Sequence, residues 1–271
     1  MDGSPYDLTG RVAVVTGGYG VLGGALASGL AAAGARIAVL GRRANEAEAK
    51  ADEIRRNGGD ATALVADVLD EQHVKSARDA VMKKWDAVDI LINAAGGNVA
   101  RARNDDRPVF DVPMDAFEEA LRLNLHGTVI PTLVFAEAMA TRNSGSVVNI
   151  SSMAAMRAIS GVLAYSIAKS GIDSFTRWLA VDLARRYGGG VRVNAVAPGF
   201  FITTQNRAVL VDSNGEYTQR AQKVIAGTPM GRLGKPEELV GAVQWLCSDA
   251  ASFVTGTVIP VDGGFSAFSG V

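Results

Sequence analysis

The chain has 271 residues, 48% of them hydrophobic and 20% charged, with Lys+Arg 27 against Asp+Glu 28 and a formal charge of -1. That length suits one large α/β domain, and the balanced charge argues against a nucleic-acid or anionic-membrane partner, which would select a basic face. A single cysteine, Cys247, cannot form an internal disulfide, and with only two histidines beside it a zinc site of the usual His/Cys kind is not expected. No metal is expected, and zinc-dependent alcohol dehydrogenase chemistry is disfavoured. Met1 to Arg11 holds no apolar stretch fit for a signal peptide, and no apolar run approaches the ~20 residues of a membrane helix. A cytoplasmic protein is the expectation.

Short β-branched runs alternate with helical stretches along most of the chain. Val12–Val15 is followed by a helical segment near 20–33, Ile37–Leu40 by 44–57, Ala63–Val65 by 71–84, and Ile90–Ile92 by 114–142. Val147–Ile150 then precedes 163–187, Val191–Val196 precedes 236–248, and Val258–Val261 comes last. The runs are apolar on both faces, as parallel strands covered by helices on both sides must be. The order predicts a single-domain, Rossmann-type doubly wound α/β fold: a parallel sheet of about seven strands with helices on both faces. Two segments break the rhythm, 97–113 and 199–230. Both leave the carboxyl ends of strands, where open α/β sheets bind ligands, so both are expected to act as substrate loops.

Thr16-Gly17-Gly18-Tyr19-Gly20-Val21-Leu22-Gly23 joins the first strand to the first helix. Glycines there permit a tight turn and let backbone N–H groups approach a pyrophosphate at a helix N-terminus. A plain strand-to-helix turn is the alternative, but the strand–loop–helix context favours a dinucleotide. An acid at the end of the second strand would bond the adenosine ribose 2′-hydroxyl and repel a 2′-phosphate. Here that strand ends Leu40-Gly41-Arg42-Arg43, with the first acid at Glu46. This favours NADP(H), with NAD(H) possible and solvated arginines as the plain alternative.

Asn93-Ala94-Ala95-Gly96, Asn124, Ser151-Ser152, Tyr165-Ser166-Ile167-Ala168-Lys169 and Pro198-Gly199 follow one another along the chain. In order and spacing this set resembles the short-chain dehydrogenase/reductase family, and the resemblance runs from about Leu8 to the end. Tyr165 and Lys169, four apart on a predicted helix, share a face. A phenol of pKa ~10 is a poor base at neutral pH, but a nearby ammonium favours its phenolate, and when protonated it can give a proton to a carbonyl oxygen being reduced. The resemblance implies that Ser152 bonds the substrate oxygen and that Tyr165 is the acid/base. It implies that Lys169 holds the nicotinamide ribose and lowers the tyrosine pKa, and that Asn124 is the fourth catalytic member, holding a water that links Lys169 to solvent. A buried amide bonded to the backbone is a compatible role for Asn124.

Cofactor contacts implied the same way are Gly17, Tyr19, Gly20, Val21 and Leu22 in the glycine turn, Arg42 and Arg43, and Asp67-Val68 beside the adenine. Asn93, Ala94, Ala95 and Gly96, Tyr165 and Lys169, Pro198-Gly199, and Phe201 with Thr203 at the carboxamide complete the set. Asp67 has an ordinary capping role as its alternative, and Asn93 is expected to steady the central sheet. The chain departs from the family's glycine pattern in one place: Val21 stands where the second motif glycine belongs, with Gly20 just before it.

Within the family, the segments 17–23, 95–98, 198–207 and 262–271 resemble the D-mannonate oxidoreductase (fructuronate reductase) group, whose members often carry an acid where this chain has Gly41. A polyhydroxy carboxylate wants amide and guanidinium donors, and Asn98, Gln205, Asn206 and Arg207 are the candidates, with Arg101 and Arg103 as further ones. Phe200, Phe201 and Phe265 also suit an apolar pocket for a bulkier ketone, so a 3-oxoacyl or generic ketone reductase is an alternative. A non-catalytic nucleotide-binding regulator is another. The family commonly forms dimers and tetramers, so a homotetramer or homodimer is expected, through the helices starting near Met114 and Leu163. The face Ala168, Ile172, Phe175, Leu179 and Leu183 is helical in period, which suits either a subunit contact or burial against the sheet. Phe265 to Val271 is expected to pack on a neighbouring subunit.

Overall fold

Every predicted apolar run forms a strand: β1 (Val12–Thr16), β2 (Arg36–Gly41), β3 (Ala61–Val65), β4 (Ile90–Asn93), β5 (Gly145–Ile150), β6 (Val191–Pro198) and β7 (Val258–Val261). These come from a computed structural model that describes residues 4–204 and 206–270. The strands pair in parallel in one sheet of order β3-β2-β1-β4-β5-β6-β7. The order reverses between β1 and β4, and there the carboxyl ends open a crevice that the connecting loops cannot fill.

Alternate residues of β1 feed two separate cores. Ala13 and Val15 pack with α1 (Val21–Ala32), α2 (Ala44–Arg56) and α9 (Val240–Cys247) on one face. Val12 and Val14 pack with α3 (Glu71–Trp85), α5 (Gly127–Thr141) and α6 (Leu163–Tyr187) on the other. Burial of each Val, Leu or Ile contributes roughly 1.5–3 kcal/mol. Ile37, Leu40, Ile90, Leu91 and Ile92, all fully buried, fill the centre of the sheet.

One expectation about helices needs correction. The stretch 114–142 is not one helix: α4 (Met114–Leu121) gives way to a π turn over Arg122–His126 before α5 begins. A π turn inserts one residue into the helical ladder and commonly marks a functional position; Asn124 lies at its middle. The expected substrate loop at 199–230 has secondary structure of its own. It carries α7 (Arg207–Leu210) and α8 (Gln219–Ala226), the latter capped by the Thr218 hydroxyl, which accepts the Ala221 N–H at 3.2 Å. Leu210, Ala221, Val224 and Leu233 form a small core of their own under these helices.

The face Ala168, Ile172, Leu179 and Leu183 of α6 is buried within the chain, with Phe175 half-buried beside it. The outward side of α6 carries Ile167, Trp178 and Val181 instead. The carboxyl tail is also folded on its own chain: Phe265 packs on Phe200 with ring centroids 5.3 Å apart, and Arg157 donates to the Ser266 carbonyl. Val271 lies outside the described residues. No helix among the described residues is long and apolar enough to cross a membrane.

Candidate active site

The turn after β1 is built by close backbone contact. Gly17 adopts φ +61°, and a Cβ there would lie 2.9 Å from the Ala95 Cα, so only glycine lets the turn after β1 touch the turn after β4. Thr16, fully buried at the end of β1, ties the same two turns together, its hydroxyl accepting the N–H groups of Ala94 and Ala95, both at 3.2 Å. Gly20 serves as the N-cap of α1 with no side-chain cap, which leaves Val21 as the first helical residue. A Cβ on Gly23 would fall 2.3 Å from the Gly17 carbonyl oxygen. The displaced glycine thus leaves the turn tight, because Gly17 and Gly23 supply the close approach.

A cleft of about 200 Å³ runs from this turn across the ends of β4, β5 and β6. Gly17, Gly20, Val21, Leu22, Ala94, Gly96, Pro198, Gly199, Phe201 and Thr203 line it, as do Asn98 and Asn206, and Ser152, Tyr165 and Lys169 stand at its other end. Ala95 lies just beneath, against Gly17. Asn93 is buried and donates to Thr132 Oγ1 at 2.7 Å and to Asn149 Oδ1 at 2.9 Å. These bonds tie β4 to α5 and β5, and Asn93 does not line the cleft.

Beside the glycine turn, Tyr19 lies over the end of β2. Its ring covers Gly41 so closely that a Cβ on that glycine would be 2.2 Å from Tyr19 Cε1. The Arg43 guanidinium sits 4.9 Å from the ring centroid, and the Arg43 backbone N–H donates to the Tyr19 hydroxyl at 3.3 Å. Arg43 also pairs with Glu46 at 3.0 Å, and Arg42 with Asp67 at 3.9 Å, all four side chains being well exposed or nearly so. Asp67 does not cap α3. It accepts the Leu69 N–H at 3.0 Å, while Asp70 caps the helix through Gln72 and His73. Val68 is buried against Gly127.

At the other end of the cleft, α6 presents Tyr165 and Lys169 on one face. Lys169 is 4% exposed and donates to the Ile150 carbonyl at 2.7 Å, its Nζ lying 5.4 Å from the Tyr165 ring centroid. Burial pushes the ammonium down to about 8, partly opposed by the carboxylate of Asp173. Burial likewise raises the Tyr165 phenol, and the Ser152 hydroxyl bonded to it offsets part of that rise. Burial is the larger of these two influences on the phenol. Asn124 is fully buried and clamps Gly97: its Nδ2 donates to the Gly97 carbonyl at 2.8 Å and to the Ala120 carbonyl at 2.9 Å, and its Oδ1 accepts the Gly97 N–H at 2.8 Å.

Behind Lys169 stands a pair the sequence reading passed over. Asp173, 5% exposed, accepts from the Ser151 hydroxyl at 2.5 Å, and burial raises its carboxyl. Tyr165, Lys169 and Asp173 recur every four residues, so helical spacing sets Asp173 on the same side of α6.

A smaller cavity of about 130 Å³ adjoins the cleft and shares Ser152, Tyr165, Asn98, Gly199 and Asn206 with it. Of the substrate candidates, Asn98 and Asn206 line this cavity and Arg207 does not. Arg207 is exposed at the start of α7. Asn206 is partly committed to the backbone, its Oδ1 accepting the Thr203 N–H and its Nδ2 donating to the Phe201 carbonyl, both at 2.7 Å. Gln205 lies outside the described residues. Arg101 turns away to Asp115 at 2.6 Å, whereas Arg103 lines the cavity, joined by Arg220 from α8. Arg220 carried no signal in the sequence, since it meets the site from 115 residues beyond Asp105. A larger cavity, about 370 Å³, lies beside Arg232, Glu238 and Asp262 and holds none of Ser152, Tyr165 or Lys169.

The comparisons with known proteins agree with this geometry. The family model for enoyl-(acyl carrier protein) reductase matches residues 20–266. The uncharacterized oxidoreductase UxuB of Bacillus subtilis is 43% identical over 98% of this chain and 98% of its own. A solved structure from Haemophilus influenza, provisionally named a D-mannonate oxidoreductase and holding NAD, superposes with a TM-score of 0.92 at 41% identity, covering 98% of each chain. Another, from Beutenbergia cavernae, is provisionally named an NAD(P)-dependent gluconate 5-dehydrogenase and holds NADP at low occupancy. It has a TM-score of 0.87 at 37% identity and covers 98% of this chain and 100% of its own. With its seven-stranded parallel sheet, glycine-lined cleft and full-length relatives, this chain belongs to the short-chain dehydrogenase/reductase family of NAD(P)-dependent oxidoreductases.

Proposed function

We propose that the protein is an NADP-preferring oxidoreductase that interconverts a ketone and a secondary alcohol on a sugar acid of the D-mannonate/D-fructuronate kind. One observation carries the reading: Ser152 and Tyr165 belong to the walls of both the dinucleotide cleft and the small cavity beside it. A carbonyl held in the cavity meets the proton donor on the side from which the cofactor is reached. The glycine turn, Ala94 to Gly96, Lys169 and the loop from Pro198 to Thr203 are the residues that hold the cofactor, with Asn93 buried behind them. Once bound, it supplies a hydride to the carbonyl carbon or takes one from the alcohol carbon.

In reduction, Ser152 donates a hydrogen bond to the carbonyl oxygen and Tyr165 gives that oxygen its proton; in oxidation Tyr165 takes the proton back. A phenol kept protonated by burial suits the acid role at neutral pH. Lys169 puts a positive charge beside the phenol and toward the ribose. Asn124 fixes the Gly97 backbone where the floor of the cleft turns. The preference for NADP rests on the absent carboxylate at Gly41, on the Tyr19 ring that covers it, and on the exposed guanidiniums of Arg42 and Arg43. The sugar acid is supported by the polar lining from Asn98 and Asn206 and by the names the two similar structures carry. The apolar part of the cavity wall, with Met153, Val162, Phe200 and Leu210, favours a second reading, reduction of a 3-oxoacyl or other bulky ketone. A cytoplasmic homotetramer or homodimer completes the proposal.

The test is cofactor oxidation by the purified protein, with NADPH and NADH in parallel and D-fructuronate beside a panel of apolar ketones. Turnover of D-fructuronate with NADPH ahead of NADH is expected. Turnover of the apolar ketones alone sinks the sugar-acid reading. Tyr165→Phe is expected to bind NADPH as before and lose about 10²–10⁴-fold in kcat. Unchanged activity would mean that the phenol moves no proton, and absence of turnover in the parent would favour a nucleotide-binding regulator.

A further inference from the structure

We infer that Arg103 and Arg220, joined through Asp105, form the subsite that takes the carboxylate of an acidic substrate. This rests on the oxidoreductase reading above and deepens it, for the chemistry at Ser152 and Tyr165 does not by itself say why the substrate should carry a charge. Among the described residues, the two arginines are the only formally charged side chains lining the small cavity, which has no acid in its wall. Much of the remaining wall is apolar, and a guanidinium–carboxylate bond gains strength where water is thin.

The pair is held in place before any ligand arrives. Asp105 accepts from Arg103 Nε at 2.7 Å through Oδ2 and from Arg220 Nη1 at 2.8 Å through Oδ1. Arg220 also donates through Nη2 to the Ser160 carbonyl at 3.0 Å. Gly161, at φ +82°, makes room for this knot, since a Cβ there would fall 2.1 Å from Asp105 Oδ1, and its carbonyl accepts the Asn104 N–H at 3.2 Å. Three segments far apart in sequence thus meet at one carboxylate: the 97–113 insertion, the turn before α6, and α8. Burial would raise the Asp105 carboxyl, but the Arg103 hydrogen bond and the two guanidinium charges more than offset it and keep it ionised. Two guanidiniums against one carboxylate leave a single positive charge, which suits a monoanionic carboxylate. Side chains already fixed by one another lose little freedom on binding.

The experiment measures binding rather than turnover, so that it does not depend on the reaction being the right one. D-mannonate and its uncharged counterpart D-mannitol are titrated calorimetrically into the NADPH-saturated protein, the parent beside Arg220→Met and Arg103→Met. The parent is expected to bind the acid more tightly than the alditol. Each substitution should weaken the acid about 10–100-fold, the worth of a hydrogen bond to a charged group, while leaving D-mannitol and NADPH affinity unchanged. Arg220→Lys, which keeps the charge and loses the fork, should fall between. Should one methionine variant fail to fold, the other and the lysine variant carry the comparison. Equal binding of acid and alditol by the parent, or equal loss of both in the variants, overturns the subsite. Arginine-dependent binding of D-mannonate without turnover of D-fructuronate leaves the subsite standing and removes the proposed reaction. Turnover of D-fructuronate with a KM indifferent to both arginines does the reverse.

Discussion

Lys169 is the residue on which burial and charge pull hardest against each other. Its ammonium is 4% exposed and pushed down to about 8, with Asp173 as the carboxylate that resists the shift. In the free protein Lys169 keeps its proton below that value and loses it above. The NADPH-limited kcat/KM for reduction, which reports free-enzyme groups, is therefore expected to fall through an inflection near pH 8 on the alkaline side. Asp173→Asn removes the opposing carboxylate and should move that inflection to lower pH, with kcat at pH 6 little changed. A profile that does not move would show that Asp173 only fills space beside Ser151. The same depression carries a sign for stability. Between about 8 and the ordinary lysine value of 10.5 the unfolded chain binds more protons than the folded one, so this site's contribution to stability rises with pH across that window. Tyr165 and Lys169 were legible from spacing and residue type. Asp173 shares that spacing but not the motif, and its role emerges only when β5 brings Ser151 to it.

At the level of elements, the end of β2 and the turn before α1 act as one unit, because Tyr19 occupies the space a side chain at position 41 would need. Read along the chain, Gly41 is a missing acid. In three dimensions it is the floor under an aromatic ring that also holds Arg43. Gly41→Asp should displace the ring, release Arg43 and set a carboxylate against a 2′-phosphate, lowering the NADPH-to-NADH ratio of kcat/KM by about 10–100-fold, since like charges juxtaposed cost several kcal/mol. Removing the obstruction as well, in Tyr19→Ala with Gly41→Asp, should raise NADH use beyond the single change. An unaltered ratio in both variants would mean that the two arginines do not face the 2′ position. Other elements hid from the sequence for local reasons. The π turn at Arg122–His126 reads as uninterrupted helix because one inserted residue barely disturbs the apolar period. By contrast α8 carried its own signals, a Thr218 cap and buried Ala221 and Val224, masked by the length of the insertion around it.

The whole sheet is legible because strands buried on both faces write themselves as unbroken apolar runs. What joins distant segments is not, and the meeting of Arg103, Asp105 and Arg220 has no local signature at all. The same limit applies to assembly. The apolar face of α6 that the sequence offers to either sheet or partner is spent on the sheet, and a different side of the helix is left outward. Trp178 is 65% exposed and Val181 58%, with Ile167 on the same helix and Leu133 on α5 also exposed. Water around so much apolar surface favours its burial, and a stable pairing needs about 1,200–2,000 Å² in total, an area two adjoining helices can furnish. The 28.2 kDa chain is therefore expected to sediment as a dimer or tetramer at micromolar concentration. Trp178→Glu combined with Val181→Glu, both changes lying away from the cleft, should drive it toward the monomer while leaving NADPH affinity intact. A parent chain that sediments as a monomer would refute assembly through this face, and an unchanged oligomer in the double variant would place the contact on another surface.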